Sequence, residues 1–190
     1  MRIYIYHVDD NLDISTDHLS SEAIDRLSRY KSGEARLRSL CAYNLVYEVF
    51  PEGELCFTDK GKPYISGISE DLSISHSEDI VVIAVSASAV GVDIEKIRHV
   101  DYSNIIKYAM TDREKANITS PIDFYRYWTV KEAYAKATGR GLKGFPIDIE
   151  VEEDFVMGTP YSSMIIDDNY VLSVVSQEID EVEIIRAKLP

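Results

Sequence analysis

Two apolar segments of similar sequence constrain the fold of this chain more than any other feature. Ile80–Ser86 is apolar at nearly every position, which is typical of a central strand buried on both faces. Tyr170–Ser176 has a similar sequence and also follows a group of predicted helices. This repetition hints that the chain folds as two similar lobes, each built around a buried strand.

Hydrophobic periodicity and turn residues place the other elements. Helices are predicted over residues 20–30, 32–50 and 102–110, a further one starts at the capping-box pattern Thr111-Asp112-Arg113-Glu114, and another runs from Pro121 to a stop at Gly139. Other strands are predicted over residues 3–8, 55–58, 72–77, 91–97, 147–151, 164–166 and 182–187. Each half of the chain is therefore predicted to contain both helices and strands.

Composition bounds the function classes. A chain of 190 residues, 45% of them hydrophobic, can fill a core as one large domain or two small lobes. The net charge of −13 argues against a nucleic-acid partner and against binding to an anionic membrane surface. Within this acidic chain, residues 26–38 hold five basic residues and one acid, so an anionic ligand is expected there.

Cysteine usage and the N-terminus predict a cytoplasmic protein. Cys41 and Cys56 have no metal-binding spacing and are expected to be reduced thiols. The first residues form a short strand followed by Asp9 and Asp10, unlike a signal peptide. No apolar run is long enough to span a membrane.

Two short motifs carry the candidate chemistry. In the strand Gly91-Val92-Asp93-Ile94-Glu95-Lys96-Ile97, alternation places Asp93 and Glu95 on one face. In the helix around Trp128, Glu132 and Lys136 stand one turn apart, beside Lys131. If the strand and the helix meet, three carboxylates and two lysines share a small volume. Such a set suits a hard divalent cation next to a phosphate.

Ordinary structural interpretations of the same residues stay open at this point. Asp93 and Glu95 could form the wet face of an edge strand, although a strand that follows so apolar a segment is not expected at an edge. The Trp128 helix could be an amphipathic core helix with a surface ion pair. Ser75-His76-Ser77 could be structural, and residues 60–63 could be only a turn. The sequence contains no P-loop, no G-x-S-x-G and no G-x-G-x-x-G motif.

Taken in order along residues 20–145, these motifs resemble those of the Sfp-type 4′-phosphopantetheinyl transferases. That family has a G-[IVT]-D-[IV]-E strand and, further along, a W-[ST]-x-K-E-[AS]-x-x-K helix followed by a G-x-G-L loop. The chain supplies GVDIE at 91–95, WTVKEAYAK at 128–136, and Gly139, Gly141 and Leu142. Upstream, Gly61-Lys62-Pro63, Ser75-His76-Ser77, Arg38-Ser39 and the turn at 108–114 are similar to further family motifs.

The resemblance implies a fold and a reaction. The fold is α+β, with two similar lobes related by a pseudo-two-fold axis, each a small, mostly antiparallel sheet with helices. The lobes would span residues 1–88 and 89–190, with coenzyme A in the cleft between them. The reaction, of the holo-[acyl-carrier-protein] synthase type, moves 4′-phosphopantetheine from coenzyme A to a serine of an acyl or peptidyl carrier protein. Adenosine 3′,5′-bisphosphate is the other product.

The resemblance also implies roles for individual residues. Asp93, Glu95 and Glu132 would hold Mg²⁺, with Mn²⁺ as an alternative ion. Glu132, or a water that it orients, would take the serine proton, and Lys136 would help the leaving group. The residues implied to contact coenzyme A are Arg38, Ser39, Gly61, Lys62, Pro63, Ser75, His76, Asp93, Lys131 and Lys136. One departure is that Ala23 and Arg26 stand where the family often has phosphate-binding lysines.

Two rival functions use the same residues differently. One is another Mg²⁺-dependent phosphotransfer enzyme or phosphate-ester hydrolase, which would need no carrier protein. The other is a non-catalytic binding protein whose carboxylates hold Ca²⁺ or no ion, although a passive scaffold needs neither the basic segment nor the Lys131, Glu132 and Lys136 set. For the transferase, the expected partners are coenzyme A and a carrier protein, and paired lobes in one chain make a monomer sufficient.

Overall fold

A computed structural model describes residues 1–8, 14–140, 146–179 and 181–189. Its helices are α1 (Ser21–Ser28), α2 (Gly33–Val49), α3 (Ser103–Ala109), α4 (Asp112–Asn117) and α5 (Pro121–Ala137). Its strands are β1 (Arg2–His7), β2 (Glu54–Phe57), β3 (Pro63–Ser66), β4 (Asp71–Ser77), β5 (Ile80–Ser86), β6 (Val90–Lys96), β7 (Phe155–Val156), β8 (Thr159–Ile166), β9 (Tyr170–Ser176) and β10 (Glu183–Arg186). None of the helices in this part of the chain is long and apolar enough to cross a membrane.

Two four-stranded sheets organise the molecule. The first has the order β10-β1-β5-β4 and the second the order β6-β9-β8-β7, while β2 and β3 form a separate hairpin. The seventeen-residue helix α2 packs on the first sheet, and α5, of equal length, packs on the second. In each sheet the strand next to the end, β5 or β9, is fully buried. These two strands are the similar apolar segments of the sequence, and the α+β prediction is confirmed.

Burial on both faces explains why β5 is apolar throughout. Val81, Ile83 and Val85 belong to a core shared with α2. Ile80, Val82 and Ala84 belong to a second core, which continues into β6 and β9 of the other sheet. The two sheets therefore share one apolar core, in addition to the clusters that each half forms from its own residues.

Three of the five helices in the described ranges, α1, α4 and α5, begin at capping residues seen in the sequence. The Ser20 hydroxyl accepts a hydrogen bond from Ala23 N at the start of α1. Thr111 with Glu114 and Ser120 with Asp123 form capping boxes at the starts of α4 and α5, and Pro121 occupies the first turn of α5.

Two sequence predictions about the C-terminal part need correction. Residues 147–151 were predicted as a strand, but only Val151 makes an isolated bridge, to Val156. Strand β10 pairs in parallel with β1 of the first sheet. The last strand of the predicted lobe at residues 89–190 therefore belongs to the sheet formed by residues 1–88. The boundary between residues 88 and 89 stays a prediction.

The end strands β4 and β6 meet along a line that positions the candidate site. Four side chains of β4 accept hydrogen bonds from backbone N–H groups of β6: Asp71 from Val90 (2.8 Å), Ser73 from Val92 (3.0 Å), Ser75 from Ile94 (3.3 Å) and Ser77 from Lys96 (3.1 Å). We call this row of contacts the β4–β6 seam. Strand β6 is thus the end strand of its sheet, contrary to the sequence prediction, but its free edge is covered by the hydroxyl groups of β4.

Close approach of α5 to β6 depends on Gly91. A Cβ atom at this position would come within 1.8 Å of the Ala133 carbonyl oxygen, so a larger residue would push the helix away. The glycine therefore sets the short distance between the strand with Asp93 and Glu95 and the helix with Glu132 and Lys136.

Candidate active site

A cleft lies between the β2–β3 turn, β4 and α5. One cavity of about 240 Å³ is lined by residues 60–63 of the turn, by Ile74 and by Glu132 and Lys136 of α5. A second cavity of about 350 Å³ adjoins it, and Gly61, Pro63, Ile74 and Lys136 line both. Together they form a continuous groove of the size that holds an extended small ligand.

Asp93 and Lys136 meet at the floor of this groove. Lys136 Nζ donates to Asp93 Oδ1 at 2.7 Å and to the Val92 carbonyl at 3.0 Å. The Ser75 hydroxyl donates to the same Oδ1 atom at 2.7 Å. Asp93 Oδ2 is buried and has no hydrogen-bond partner among the described residues. A buried carboxylate oxygen without a partner is costly, and this oxygen is available to a cation or another donor.

Glu95 and Glu132 complete a set of three interacting carboxylates. Burial, and then the charge of Asp93, raises the pKa of Glu132 to about 7. Burial and Asp93 also raise the pKa of Glu95, while Ser77, which donates to Glu95 Oε2 at 2.9 Å, acts in the opposite direction. The ammonium group of Lys136 counters these charges only in part. Three carboxyl groups therefore interact in a region where the ammonium group of Lys136 contacts only Asp93 among them.

These residues fit a divalent cation by chemistry, although they do not form a finished coordination shell. Within the described ranges, no three His, Cys, Asp or Glu side chains are already arranged around one ion position. Mg²⁺ commonly binds through one or two carboxylates and takes its other oxygens from water and substrate phosphates. The free Oδ2 atom of Asp93 and the neighbouring carboxylates meet that requirement. Asp93, Glu95 and Glu132 are the residues that would hold the ion.

Basic and polar side chains line the other end of the groove. Arg26, Ser39, Ser75 and His76 line the second cavity with Asp93. Burial, and then the charge of Arg38, lowers the pKa of His76, which favours the neutral form of its ring. Arg38 itself lines a separate cavity, where Nη1 donates to the Glu78 carbonyl at 3.3 Å. It lies beside the groove rather than in its wall.

The structure shows where Ala23 and Arg26 lie, the two residues at which the first helix departs from the family pattern. Ala23 is fully buried in the core, so it cannot contact a ligand. The guanidinium group of Arg26 lies 4.0 Å from the Phe57 ring centroid and lines the groove. Arg26 and the aromatic side chains of Tyr30 and Tyr43 were not among the predicted site residues. The basic segment that begins at Arg26 was the signal in the sequence.

Lys131 does not belong to the groove, which corrects its predicted contact with coenzyme A. Its side chain has no exposed surface, and Nζ lies 2.7 Å from Glu114 Oε2. The same atom donates to the carbonyl groups of Ala109 (2.9 Å) and Pro146 (3.3 Å). Burial lowers the pKa of Lys131, and the hydrogen bond to Glu114 opposes this shift. Lys131 therefore has a structural role.

Lys62 lines the groove with its stem while its ammonium group holds three elements together. Nζ donates to Asp71 Oδ2 of β4 (2.5 Å), to the Ala137 carbonyl at the end of α5 (3.1 Å) and to the Val90 carbonyl of β6 (3.4 Å). Gly139 faces the Lys62 stem. The predicted loop residues Gly141 and Leu142 lie outside the described residues.

Comparison with known proteins finds similarity to 4′-phosphopantetheinyl transferases. The 4′-phosphopantetheinyl transferase superfamily matches residues 89–180, from just before β6 to beyond β9. The chain is 29% identical over 140 residues to the 4′-phosphopantetheinyl transferase gsp of Aneurinibacillus migulanus, covering 67% of this chain and 59% of that protein. It is 31% identical over 109 residues to psf-1 of Bacillus pumilus, covering 52% and 47%. It is 26% identical over 168 residues to Sfp of Bacillus subtilis strain 168, covering 78% and 74%.

The matched part of the chain spans about half to three fifths of the length of gsp and psf-1. The family match includes Asp93, Glu95, Glu132 and Lys136, whose charges interact in and beside the groove. The α+β architecture with its antiparallel sheets agrees with the fold of that family. By these matches, the chain is similar to the 4′-phosphopantetheinyl transferase superfamily over residues 89–180, and to gsp, psf-1 and Sfp over 52–78% of its length.

Proposed function

We propose that this protein transfers the 4′-phosphopantetheine group of coenzyme A to a serine hydroxyl of an acyl or peptidyl carrier protein, with Mg²⁺ as the metal ion. Adenosine 3′,5′-bisphosphate leaves as the second product. The similarity to 4′-phosphopantetheinyl transferases supports this reaction class. A holo-[acyl-carrier-protein] synthase activity, a cytoplasmic location and a monomeric state stay predictions.

The observation that carries the proposal is the surplus of carboxylates at Asp93. Asp93, Glu95 and Glu132 interact electrostatically around a single ammonium group, and one buried oxygen of Asp93 has no partner among the described residues. A purely structural cluster would be expected to balance its charges, as the Lys131–Glu114 pair does. In a site that binds a cation, the surplus negative charge of the carboxylates would be balanced by the bound ion.

When bound, Mg²⁺ would supply positive charge that offsets the charge developing on the transferred phosphate and on the leaving oxygen. Lys136 is 30% exposed and faces the groove, so its ammonium group can contact the pyrophosphate without moving far from Asp93. Glu132 lines the same groove as Lys136, so its carboxylate is placed to accept a proton from a hydroxyl group that enters there.

In the proposed reaction, one bond to phosphorus forms, one breaks, and one proton is transferred. The serine oxygen of the carrier forms a bond to the phosphorus that bears the pantetheine chain, while the bond from that phosphorus to the bridging oxygen of the pyrophosphate breaks. The serine proton passes to Glu132 or to a water that it orients. The leaving oxygen remains on adenosine 3′,5′-bisphosphate, where Lys136 stabilises its negative charge.

The remaining groove residues suggest how coenzyme A lies. Gly61 and Pro63 line both cavities, and we assign the adenine ring to this wall. Arg26, Ser39 and His76 are placed to contact phosphate groups at the other end. The guanidinium group of Arg26 takes the place of the family's first-helix lysines in this arrangement.

Intact-protein mass spectrometry tests the proposal. An apo carrier protein, coenzyme A, Mg²⁺ and this protein are mixed, with EDTA in a parallel sample. A mass gain of one phosphopantetheine group that disappears with EDTA is expected. In the matched sample with Asp93→Ala, the gain should disappear even with Mg²⁺. No gain with several carriers, together with no binding of coenzyme A by calorimetry, would contradict the proposal.

A further inference from the structure

Serine hydroxyl groups in the β4–β6 seam contact the same two carboxylates that the proposed reaction uses. Ser75 accepts a hydrogen bond from Ile94 N and donates to Asp93 Oδ1 at 2.7 Å. Two residues further along, Ser77 accepts from Lys96 N and donates to Glu95 Oε2 at 2.9 Å. Each serine therefore contacts a carboxylate and the backbone N–H of the residue that follows it.

The chemistry of a hydroxyl group makes this arrangement directional. A serine hydroxyl has one proton to donate and two lone pairs to accept with. Because a backbone N–H of β6 points at the oxygen, the proton turns away from the backbone and toward the carboxylate. Both serines are over nine-tenths buried on a strand, so water does not compete freely for these bonds. The result is a fixed rotation of each carboxylate.

Each carboxylate is held through only one of its two oxygens by the seam. For Asp93, Oδ1 receives the Ser75 hydroxyl and the Lys136 ammonium group, while Oδ2 is buried without a partner in the described part of the chain. The seam thus selects which oxygen atom is engaged and which one is free. A ligand carboxylate fixed by a neighbouring hydrogen bond is a common feature of metal sites.

We propose that Ser75 and Ser77 are positioning residues that orient Asp93 and Glu95 for a divalent cation, and that their own hydroxyl groups do not contact coenzyme A. The identity of the cation as the Mg²⁺ of the transfer reaction rests on the function proposed above. The orientation itself rests on the hydrogen bonds of the seam. Ser75 therefore receives a different role from the phosphate contact that the family resemblance implies, because its single proton is already donated to Asp93.

Ser73 provides a matched control within the same strand. It lies on the same face of β4, is also more than nine-tenths buried, lines the first cavity, and accepts a hydrogen bond from Val92 N. Among the described residues, its hydroxyl makes no hydrogen bond to a carboxylate. Ser73→Ala should therefore disturb the seam as much as Ser75→Ala or Ser77→Ala does, without changing the orientation of an acidic side chain.

The test measures metal binding directly. Mn²⁺ is titrated into the wild-type protein and the variants in the presence of coenzyme A, and free Mn²⁺ is counted by electron paramagnetic resonance. Ser75→Ala and Ser77→Ala are expected to weaken Mn²⁺ binding by roughly 10- to 100-fold. Ser73→Ala is expected to bind Mn²⁺ as the wild type does. At saturating metal, KM for coenzyme A should stay the same in Ser75→Ala. Denaturation midpoints should shift similarly in all three variants.

Each other outcome overturns part of the proposal. Equal Mn²⁺ affinity in all three variants would show that the serines only join the strands. A raised KM for coenzyme A in Ser75→Ala, with unchanged Mn²⁺ affinity, would make Ser75 a phosphate contact. If Ser75→Ala does not fold, Ser75→Cys keeps the shape with a weaker donor and should weaken Mn²⁺ binding in the same direction.

The two proposals fail in different ways. A wild-type protein that binds Mn²⁺ but modifies no carrier would contradict the transfer reaction alone, and the Mn²⁺ affinities of the variants would still decide the role of the serines. A wild-type protein that binds no Mn²⁺ would overturn both.

Discussion

Glu132→Gln is expected to lower kcat/KM for carrier modification by roughly 10²- to 10⁴-fold, the range for loss of a general base. Glutamine has the shape of glutamate but neither accepts the serine proton nor adds negative charge for the cation. The residue lies in the groove next to Lys136, within electrostatic reach of Asp93 and Glu95. Initial rates of phosphopantetheine transfer, followed by mass spectrometry at saturating Mg²⁺, measure the effect.

The same variant should not lose stability. The fold raises the pKa of Glu132 from 4.5 to about 7, so the charged carboxylate is disfavoured in the folded state. Stability therefore falls as the pH rises between those two values. Glutamine avoids this cost, so the free energy of unfolding at pH 8 is expected to be unchanged or higher. Glu48→Gln, at an exposed position of α2, is the control. A transfer rate near that of the wild type would remove Glu132 from the mechanism.

Loss of either partner of the buried Lys131–Glu114 pair is expected to cost about 3–5 kcal/mol of unfolding free energy. Both side chains are at most 1% exposed. Glu114 also accepts hydrogen bonds from Thr111 N and from Val151 N. Lys131→Met would leave a buried carboxylate without its counter-ion, and Glu114→Gln would leave a buried ammonium group without its carboxylate. Urea denaturation, monitored by the fluorescence of Trp128, the single tryptophan, measures the change.

The double variant separates a charge effect from a packing effect. With both charges removed, no unpaired ion remains, so Lys131→Met combined with Glu114→Gln should cost less than the sum of the single changes by about 1–3 kcal/mol. The exposed pair Arg29–Asp25 on α1 is the matched control, because an exposed pair contributes at most about 1 kcal/mol. Single-variant losses below 1 kcal/mol would contradict the structural role of Lys131.

Much of the fold follows from patterns that act over short distances. The apolar run of β5 indicated burial on both faces, and the capping residues Ser20, Thr111 and Ser120 mark the starts of helices as expected. The partner of β10 was not predictable, because a four-residue strand pairs equally well with any free edge. Residues 147–151 have apolar alternation that suits a strand, but their backbone is held by Glu114 and by a turn instead.

For the site, helix geometry decides which predictions agree with the structure. Glu132 and Lys136 are four residues apart, so they face the same groove. Lys131 is adjacent to Glu132 in sequence and therefore points about 100° away around the helix axis, toward α4. The sequence motif contains Lys131, Glu132 and Lys136, but adjacent residues on a helix point in different directions, so Lys131 does not face the groove. The contacts of Ser75 and Ser77 depend on how two sheets meet, which no local pattern reveals.

The seam gives β6 two edges of different kinds, and amide hydrogen exchange should distinguish them. N–H groups alternate in direction along a strand. Those of Val92, Ile94 and Lys96 bind serine hydroxyl groups, whereas those of Gly91, Asp93 and Glu95 face β9 in a regular antiparallel ladder. Opening the seam requires only rotation of serine side chains, while opening the ladder requires the sheet to separate. Alternate amides of a single buried strand should therefore exchange with solvent deuterium at two distinct rates.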